Sequence, residues 1–273
     1  MGTLEYVASP ASVVTVAAGP DDRRSIAVTN FVFVHGSFHG GWCWNTLMPW
    51  LQRQGHVVHA PNLPASGGDP SPIENADLLA YSTRIADVVD GIAGSVVLVG
   101  HSMGGIVASQ VCEHRPDKLA AAIYVNGLLL RDGESLASFL TANEALEVDD
   151  LVLKNMRLSA DGETATFPQE KAADVFYNAC TPADADWAKR QLTAQRTKVY
   201  SDTLRLTPQR YGTVKRFYVK GLRDNAVPLI YQDTMLQNTF CDGVYTLDAD
   251  HSPFLSAPGE LSEILLTIAG LVD

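Results

Sequence analysis

The sequence predicts an α/β protein in which a doubly wound, mostly parallel sheet carries a helical cap inserted after a central strand. From residue 31 onward, apolar β-branched runs alternate with segments whose apolar residues recur at helical spacing. The alternation stops once, over residues 132–208, which are polar, rich in helix formers and without a clear strand pattern. We therefore divide the chain into an N-terminal extension (1–30), a first core segment (31–131), the cap (132–208) and a second core segment (209–273).

The first core strand, Phe31–Val34, is apolar at every position, as expected of a parallel strand that is covered on both faces. The extension before it is expected to form a short strand pair that turns at Ser9-Pro10. The first helix is expected from Trp44 to Gln54, because its apolar residues share one face and a glycine follows. The remaining core elements are strand 56–59, helix 77–91, strand 96–99, helix 106–111, strand 119–125, strand 214–219, helix 229–237, strand 244–247 and helix 259–271.

Composition limits the functions that the chain can have. It has 273 residues, of which 46% are hydrophobic, enough for one α/β domain with an insertion. Its formal net charge of −11 argues against nucleic acids and anionic membranes as partners, and no apolar run is long enough to cross a membrane. The four cysteines are widely spaced without a metal-binding pattern, which indicates reduced thiols in a cytoplasmic protein.

The strand that begins at Val96 runs directly into a Gly-x-Ser-x-Gly motif centred on Ser102, and a helical stretch follows at once. This order is typical of a nucleophile elbow, in which a serine on a sharp strand-to-helix turn holds its hydroxyl above a parallel sheet. The turn is too tight for side chains at Gly100 and Gly104, and the helix N-terminus behind the serine stabilises an oxyanion. The motif alone also fits a glycine-rich turn without chemistry, so the interpretation depends on partners downstream.

A serine nucleophile needs a base, and the base needs an acid that orients it; on this type of sheet they follow in the order serine, acid, histidine. His251, just after the last predicted strand, is the candidate base, and four aspartates precede it. Asp250 is adjacent in sequence, so its side chain diverges from that of the base. Asp242 and Asp248 flank the last strand, the former at its wrong end. Asp224 follows the carboxyl end of strand 214–219, where catalytic groups gather, and is the predicted acid.

The oxyanion hole requires two backbone N–H donors. One is expected from Met103, the residue after the nucleophile. The other is expected from the glycine-rich loop after the first strand, where the Ser37 amide is the first choice and Phe38 the second. We expect His35 and His39, in the same loop, to hold it by hydrogen bonds and not to act as bases or ligands.

Five segments of the chain resemble one branch of the α/β hydrolases: residues 33–44, 100–105, 176–188, 211–219 and 250–254. The branch holds plant methylesterases, hydroxynitrile lyases and bacterial pyrethroid-hydrolase-like esterases. The resemblance covers residues 31–273 and implies the α/β-hydrolase fold with a Ser-His-Asp triad.

The resemblance also separates two reaction types within the branch. Its hydroxynitrile lyases carry Thr where Gly36 stands and Lys where Ser252 stands, and the lysine ammonium would stabilise departing cyanide. Its esterases have glycine at the first position and a non-basic residue at the second, as here. The resemblance therefore favours an esterase over a lyase.

An apolar substrate pocket is expected under the cap, lined by aromatic and aliphatic side chains. The cap has no cluster of Arg or Lys that would bind a carboxylate or phosphate, which favours an uncharged ester. The same apolar residues could equally be ordinary packing. The candidate lining residues are Phe38, Leu128, Phe139, Phe176, Trp187 and Phe254.

The sequence thus predicts a serine carboxylesterase that hydrolyses a small to medium, uncharged and largely apolar ester through an acyl-enzyme. Its expected partner is this small-molecule ester, and a homodimer is a further option. No metal or organic cofactor is expected, because the triad and the oxyanion hole supply the whole mechanism. Three alternatives stay open: a tailoring enzyme of secondary metabolism (methylesterase or cyclase), a hydroxynitrile lyase, and a catalytically idle small-molecule-binding protein on the same fold.

Overall fold

A computed structural model describes residues 28–272, so the strand pair predicted around Ser9-Pro10 lies outside the described residues. The strands are β1 (Asn30–Val34), β2 (Val57–His59), β3 (Val96–His101), β4 (Leu119–Val125), β5 (Arg157–Leu158), β6 (Thr164–Thr166), β7 (Gln195–Arg196), β8 (Lys215–Gly221) and β9 (Gly243–Leu247). Six of them form one sheet in the order β2-β1-β3-β4-β8-β9, and every pair in it is parallel.

The α-helices cover both faces of this sheet and make up much of residues 132–208. They are α1 (Met48–Gln52), α2 (Leu78–Asp90), α3 (Gly104–His114), α4 (Leu136–Ala142), α5 (Leu151–Asn155), α6 (Gln169–Phe176), α7 (Pro182–Lys189), α8 (Lys198–Ser201), α9 (Leu229–Asn238), α10 (Pro253–Ser256) and α11 (Pro258–Val272). None of the helices within residues 28–272 has the length and apolar character that a bilayer-spanning segment requires.

Both faces of the sheet are covered by apolar side chains. Along β1, Phe31 and Phe33 point into one buried cluster with α1 and α11, whereas Val32 and Val34 point into the other with α2 and α3. Alternate residues of a strand face opposite sides, so each strand contributes to both clusters. The predicted doubly wound parallel sheet is therefore confirmed.

The first predicted helix differs from expectation. A 3-10 turn spans Gly41–Thr46, and α1 begins only at Met48. Pro49 stands in the first turn of α1, where a backbone N–H would have no partner within the helix, so its absence costs no hydrogen bond. In the predicted helix, which begins at Trp44, the proline would lie in the interior and remove a backbone hydrogen bond. The chain therefore restarts the helix just before the proline.

The residues predicted as the cap contain strands as well as helices, which corrects the expectation that 132–208 has none. Strands β5, β6 and β7 form a small antiparallel sheet beside helices α4 to α8. Each strand has only two or three residues, and Ala165 is one of few buried positions in them. Strands this short show no apolar alternation that a sequence pattern could reveal.

Candidate active site

Ser102 lies at the sharp turn between β3 and α3, with a φ angle of 53° in the left-handed region. The turn brings backbones so close that a Cβ on Gly100 would lie 2.6 Å from the Gly104 carbonyl oxygen. A Cβ on Gly104 would lie 2.4 Å from the Val34 carbonyl oxygen. Only glycine fits at both positions, so the two glycines of the motif allow the strained serine conformation.

The strained serine is held by hydrogen bonds to its own carbonyl. The amides of Gly105 and Leu128 both donate to the Ser102 carbonyl oxygen, each at 2.9 Å. Helix α3 begins directly behind it, so its positive N-terminal dipole faces the serine. The elbow is thus a fixed element of the core, and negative charge that forms at the serine would be stabilised there.

His251 and Asp224 form a buried pair at the carboxyl edge of the sheet. The Nδ1 atom of His251 is 2.8 Å from Asp224 Oδ2, and both side chains are shielded from solvent. The other carboxylate oxygen of Asp224 accepts the amides of Ala226 and Val227, at 2.7 and 2.8 Å. Because a carboxylate accepts, His251 Nδ1 carries the donated proton, and in the neutral imidazole Nε2 then has the lone pair. This is the tautomer that a general base requires.

The other three aspartates considered as the acid lie elsewhere. Asp242 accepts the Arg216 amide at 2.9 Å, at the start of β8. Asp248 is exposed, and none of the described residues forms a hydrogen bond with it. Asp250 is fully buried, but it accepts hydrogen bonds from Ala179 and from its own loop instead of facing the base. The geometry supports Asp224 as the partner of the histidine.

The loop after β1 reaches the serine directly. A Cβ on Gly36 would lie 2.7 Å from Ser102 Cβ, so glycine is required for this close approach. Ser37 and Met103 both line the cavity that Ser102 faces, which is where the two oxyanion donors are expected. Phe38 has a φ of 66°, and its carbonyl accepts the amide of Thr193 at 2.9 Å.

The two histidines of this loop hold its backbone. His35 Nε2 accepts the Leu63 amide at 3.1 Å, so its Nδ1 donates to the Gly36 carbonyl at 2.9 Å. His39 Nδ1 donates to the Ser37 carbonyl at 2.7 Å. Burial lowers the pKa of His35 to about 4 and that of His39 to about 3, so both are neutral at pH 7.

Two polar residues at the site were missed by sequence reasoning. His101 Nε2 donates to the His251 carbonyl at 2.8 Å, and burial lowers the His101 pKa well below its usual value. Asn126 follows β4; its amide nitrogen donates to the carbonyls of Asp250 and His251, and its oxygen accepts the Gly221 amide. The φ of 47° at Asn126 marks a special turn, but the sequence gives no sign of its distant partners.

A cavity of about 190 Å³ opens beside the serine, and both Ser102 and His251 line it. The structure places four of the six predicted lining residues in its walls: Phe38, Leu128, Phe139 and Phe176. Sequence reasoning missed a further set of lining residues, since no local pattern separates them from packing residues: Leu136, Ala137, Asp150, Val152, Leu153, Met156, Tyr200, Ala226, Val227 and Tyr231.

The other two predicted lining residues are placed away from the cavity, which corrects the prediction. Trp187 is 37% exposed and its ring packs edge-on against Trp42, because α7 buries Ala185 and Ala188 and turns the tryptophan outward. Phe254 is fully buried in α10, with its ring 4.8 Å from that of Trp44. Within residues 28–272, no group of three or more His, Cys, Asp or Glu side chains is arranged to hold a metal ion.

Known proteins share this architecture. The sequence profile of the alpha/beta hydrolase family matches residues 31–264. The chain is 32% identical to methylesterase 7 of Arabidopsis thaliana over 249 residues, which cover 88% of this chain and 95% of that protein. It is 30% identical to putative methylesterase 13, chloroplastic, of the same plant, covering 88% of this chain but only 56% of that longer protein.

Among solved structures, a pyrethroid hydrolase from Sphingobium faniae has a similar fold. The TM-score is 0.81 at 26% identity, and the match covers 89% of this chain and 98% of the other. The resemblance to the branch of methylesterases and pyrethroid hydrolases is thereby confirmed. Since the family profile matches most of its length, this chain belongs to the alpha/beta hydrolase family.

Proposed function

We propose that this protein is a serine carboxylesterase that hydrolyses small to medium, uncharged and largely apolar esters. The observation that carries the proposal is the arrangement of His251. Its Nδ1 is bound by the buried Asp224 carboxylate, and the residue lines the same cavity as Ser102. The names of the relatives, which include methylesterases and a pyrethroid hydrolase, support the same class of reaction.

In the proposed reaction, His251 Nε2 accepts the Ser102 hydroxyl proton as the oxygen attacks the ester carbonyl. The amides of Ser37 and Met103 stabilise the oxyanion of the tetrahedral intermediate. The imidazolium then protonates the leaving alcohol, and an acyl-serine remains. A water molecule, activated by the same histidine, attacks the acyl-serine, and the serine takes back its proton as the acid leaves.

The cavity walls support an uncharged, apolar substrate. Among the described residues that line it there is no Lys or Arg, so no positive charge is available for a free carboxylate or phosphate. Asp150 is the one acidic side chain among the described residues of the walls; it accepts the Leu153 amide at 2.8 Å, and burial raises its pKa. An anionic group would find no positively charged side chain in these walls, whereas an apolar acyl or alcohol group would fit.

A hydroxynitrile lyase is disfavoured by the same geometry. Departing cyanide is an anion and needs a cation beside it, but Ser252 follows the base, and this serine is fully buried and outside the cavity walls. At Gly36, a larger side chain would collide with Ser102 in this backbone arrangement.

The proposal also includes a cytoplasmic location, which the four free cysteines support.

The test is hydrolysis of p-nitrophenyl esters of graded acyl length, with mandelonitrile cleavage measured beside it. We expect wild-type protein to hydrolyse the esters and to be labelled by a fluorophosphonate, and Ser102→Ala to lose both. Ser201→Ala, an exposed serine of α8, is the matched control and should retain both.

Each contrary outcome has its own meaning. Substantial ester hydrolysis by Ser102→Ala would contradict the serine mechanism. Mandelonitrile cleavage comparable to ester hydrolysis would identify a lyase. Labelling without turnover of any simple ester would favour a specialised tailoring enzyme. A wild-type protein that is neither labelled nor active would indicate an idle binding protein.

A further inference from the structure

We propose that four consecutive residues of the inserted region, 177–180, act as a clasp that positions the catalytic loops. This clasp forms hydrogen bonds with the oxyanion loop, the loop that carries the base and the loop that carries the acid. These loops follow three different strands, β1, β9 and β8, and no two of them are adjacent in the sequence. The inference rests on the proposed function, because it assigns the clasp a role in that reaction.

The first contact of the clasp is with the oxyanion loop. The Tyr177 hydroxyl donates to His39 Nε2 at 2.9 Å, and His39 Nδ1 donates to the Ser37 carbonyl at 2.7 Å. Ser37 is also the residue whose amide is the proposed oxyanion donor. The low pKa of His39 keeps Nε2 free to accept at pH 7, so the chain of hydrogen bonds from clasp to oxyanion loop is intact there.

The second contact is with the base loop, through Asp250. One oxygen of this fully buried carboxylate accepts the Ala179 amide at 2.8 Å and lies 3.5 Å from Cys180 Sγ. The other oxygen accepts the Ser252 amide at 3.1 Å and the Ser256 hydroxyl at 2.6 Å. The Asp250 carboxylate therefore ties the clasp to the residues that flank His251. This gives Asp250 a structural role although it does not face the histidine.

The third contact is with the acid loop. The Asn178 side-chain amide donates to the Arg223 carbonyl at 3.0 Å, immediately before the triad aspartate. On the other side of that aspartate, the Asn225 side-chain amide donates to the Asp174 carbonyl in α6 at 2.8 Å. The acid loop is thus tied to the clasp and to the helix that leads into it.

One short segment therefore sets the relative positions of all three loops. A misplacement of about 1 Å among reacting groups costs on the order of 100-fold in rate, so loosening the clasp should slow the chemical step. If the segment only contributed packing, its variants would lower thermal stability and leave the turnover of the folded enzyme unchanged. The two roles predict different effects of the variants on kcat, and this difference makes the proposal testable.

The main variant is Tyr177→Phe, which keeps the ring and removes the hydroxyl. Its matched control is Tyr81→Phe, because the Tyr81 hydroxyl is equally buried and accepts a hydrogen bond at 2.9 Å from Gln195, which belongs to none of the three catalytic loops. A second pair is Asn178→Ala with Asn155→Ala, since among residues 28–272 the Asn155 side-chain amide donates within its own helix, to the Leu151 carbonyl at 2.8 Å. We measure kcat, KM and Tm with p-nitrophenyl esters, and the rate of fluorophosphonate labelling.

We expect Tyr177→Phe to lower kcat and the labelling rate about tenfold, with KM within about twofold of wild type and a Tm equal to that of its control. Asn178→Ala should lower both rates by a smaller factor than Tyr177→Phe. If wild type is active and both clasp variants match their controls in kcat and labelling, the clasp is only structural and the proposal is wrong. A wild-type protein that is neither active nor labelled overturns the proposed esterase function and the clasp together.

Discussion

Replacing Asp224 by asparagine tests the proposed mechanism most sharply, because the substitution keeps the shape of the side chain, replaces one carboxylate oxygen by an NH₂ group and removes the negative charge. In the wild-type protein, one carboxylate oxygen accepts the amides of Ala226 and Val227 and the other accepts His251 Nδ1–H. Asparagine has a single oxygen. Two backbone donors fix that oxygen on their side, so the NH₂ group must face the histidine.

The consequence is a change of tautomer. An amide N–H only donates, so His251 Nδ1 has to accept, and the ring proton moves to Nε2. Nε2 then has no lone pair for the Ser102 proton. In triads of this type such a change lowers kcat about 10⁴-fold, which corresponds to about 5.4 kcal/mol in the activation free energy. The free energy of unfolding should change much less, because both backbone amides keep their acceptor.

The assay is kcat for a p-nitrophenyl ester that wild type hydrolyses well, with Tm from circular dichroism. Asp248→Asn is the matched control: the same chemical change at an exposed aspartate just past β9, with an expected kcat within about twofold of wild type. An Asp224→Asn enzyme that retained more than a tenth of wild-type kcat would refute the tautomer argument. A loss of kcat in Asp248→Asn larger than that in Asp224→Asn would refute it as well.

Three further predictions concern metal independence, acid stability and chain-length preference. Activity should survive exhaustive dialysis against EDTA; a loss that a divalent ion restores would show a metal requirement. Burial depresses the pKa of His35, His39 and His101 below the unfolded value of 6.5, so the unfolded chain binds protons first as the pH falls. Each of these histidines should therefore lower the free energy of unfolding by up to about 1.4 kcal/mol per pH unit below 6.5. A urea midpoint that is unchanged between pH 7 and pH 5 would contradict this. Phe139→Ala should enlarge the cavity and shift kcat/KM about tenfold toward longer acyl chains; an unchanged preference would place the acyl group elsewhere.

The sequence predicts the core well because each core element depends on a local pattern. The first strand is buried on both faces and reads as an unbroken apolar run, and the elbow needs glycine at two fixed positions around Ser102. The position of Asp224 just past the carboxyl end of β8, at the sheet edge where functional groups gather, follows from a local pattern too, whereas its role as the triad acid stays a prediction. These features could be predicted because one stretch of chain determines each of them.

Features that depend on distant partners could not be predicted in this way. Whether Trp187 faces the cavity or the solvent depends on how α7 is rotated against the core, and its helical spacing is the same in either case. The sequence predicts that Asp250 does not face the adjacent His251, but it gives no sign of the hydrogen bond that Asp250 accepts from Ala179, 71 positions away. His101 reaches a carbonyl 150 positions away. A single sequence carries no local signal for such contacts.

The neutral histidines around the base have a common electrostatic reason. His35, His39 and His101 each donate to a carbonyl of a catalytic loop, and the ring of His101 lies only 4.5 Å from that of His251. A lysine or arginine could donate the same hydrogen bonds, but its charge would oppose the imidazolium that forms when His251 accepts the serine proton. A buried imidazole supplies the donor without the charge. In the proposed mechanism, the Asp224 carboxylate would therefore stabilise the developing His251 imidazolium without opposition from these three side chains.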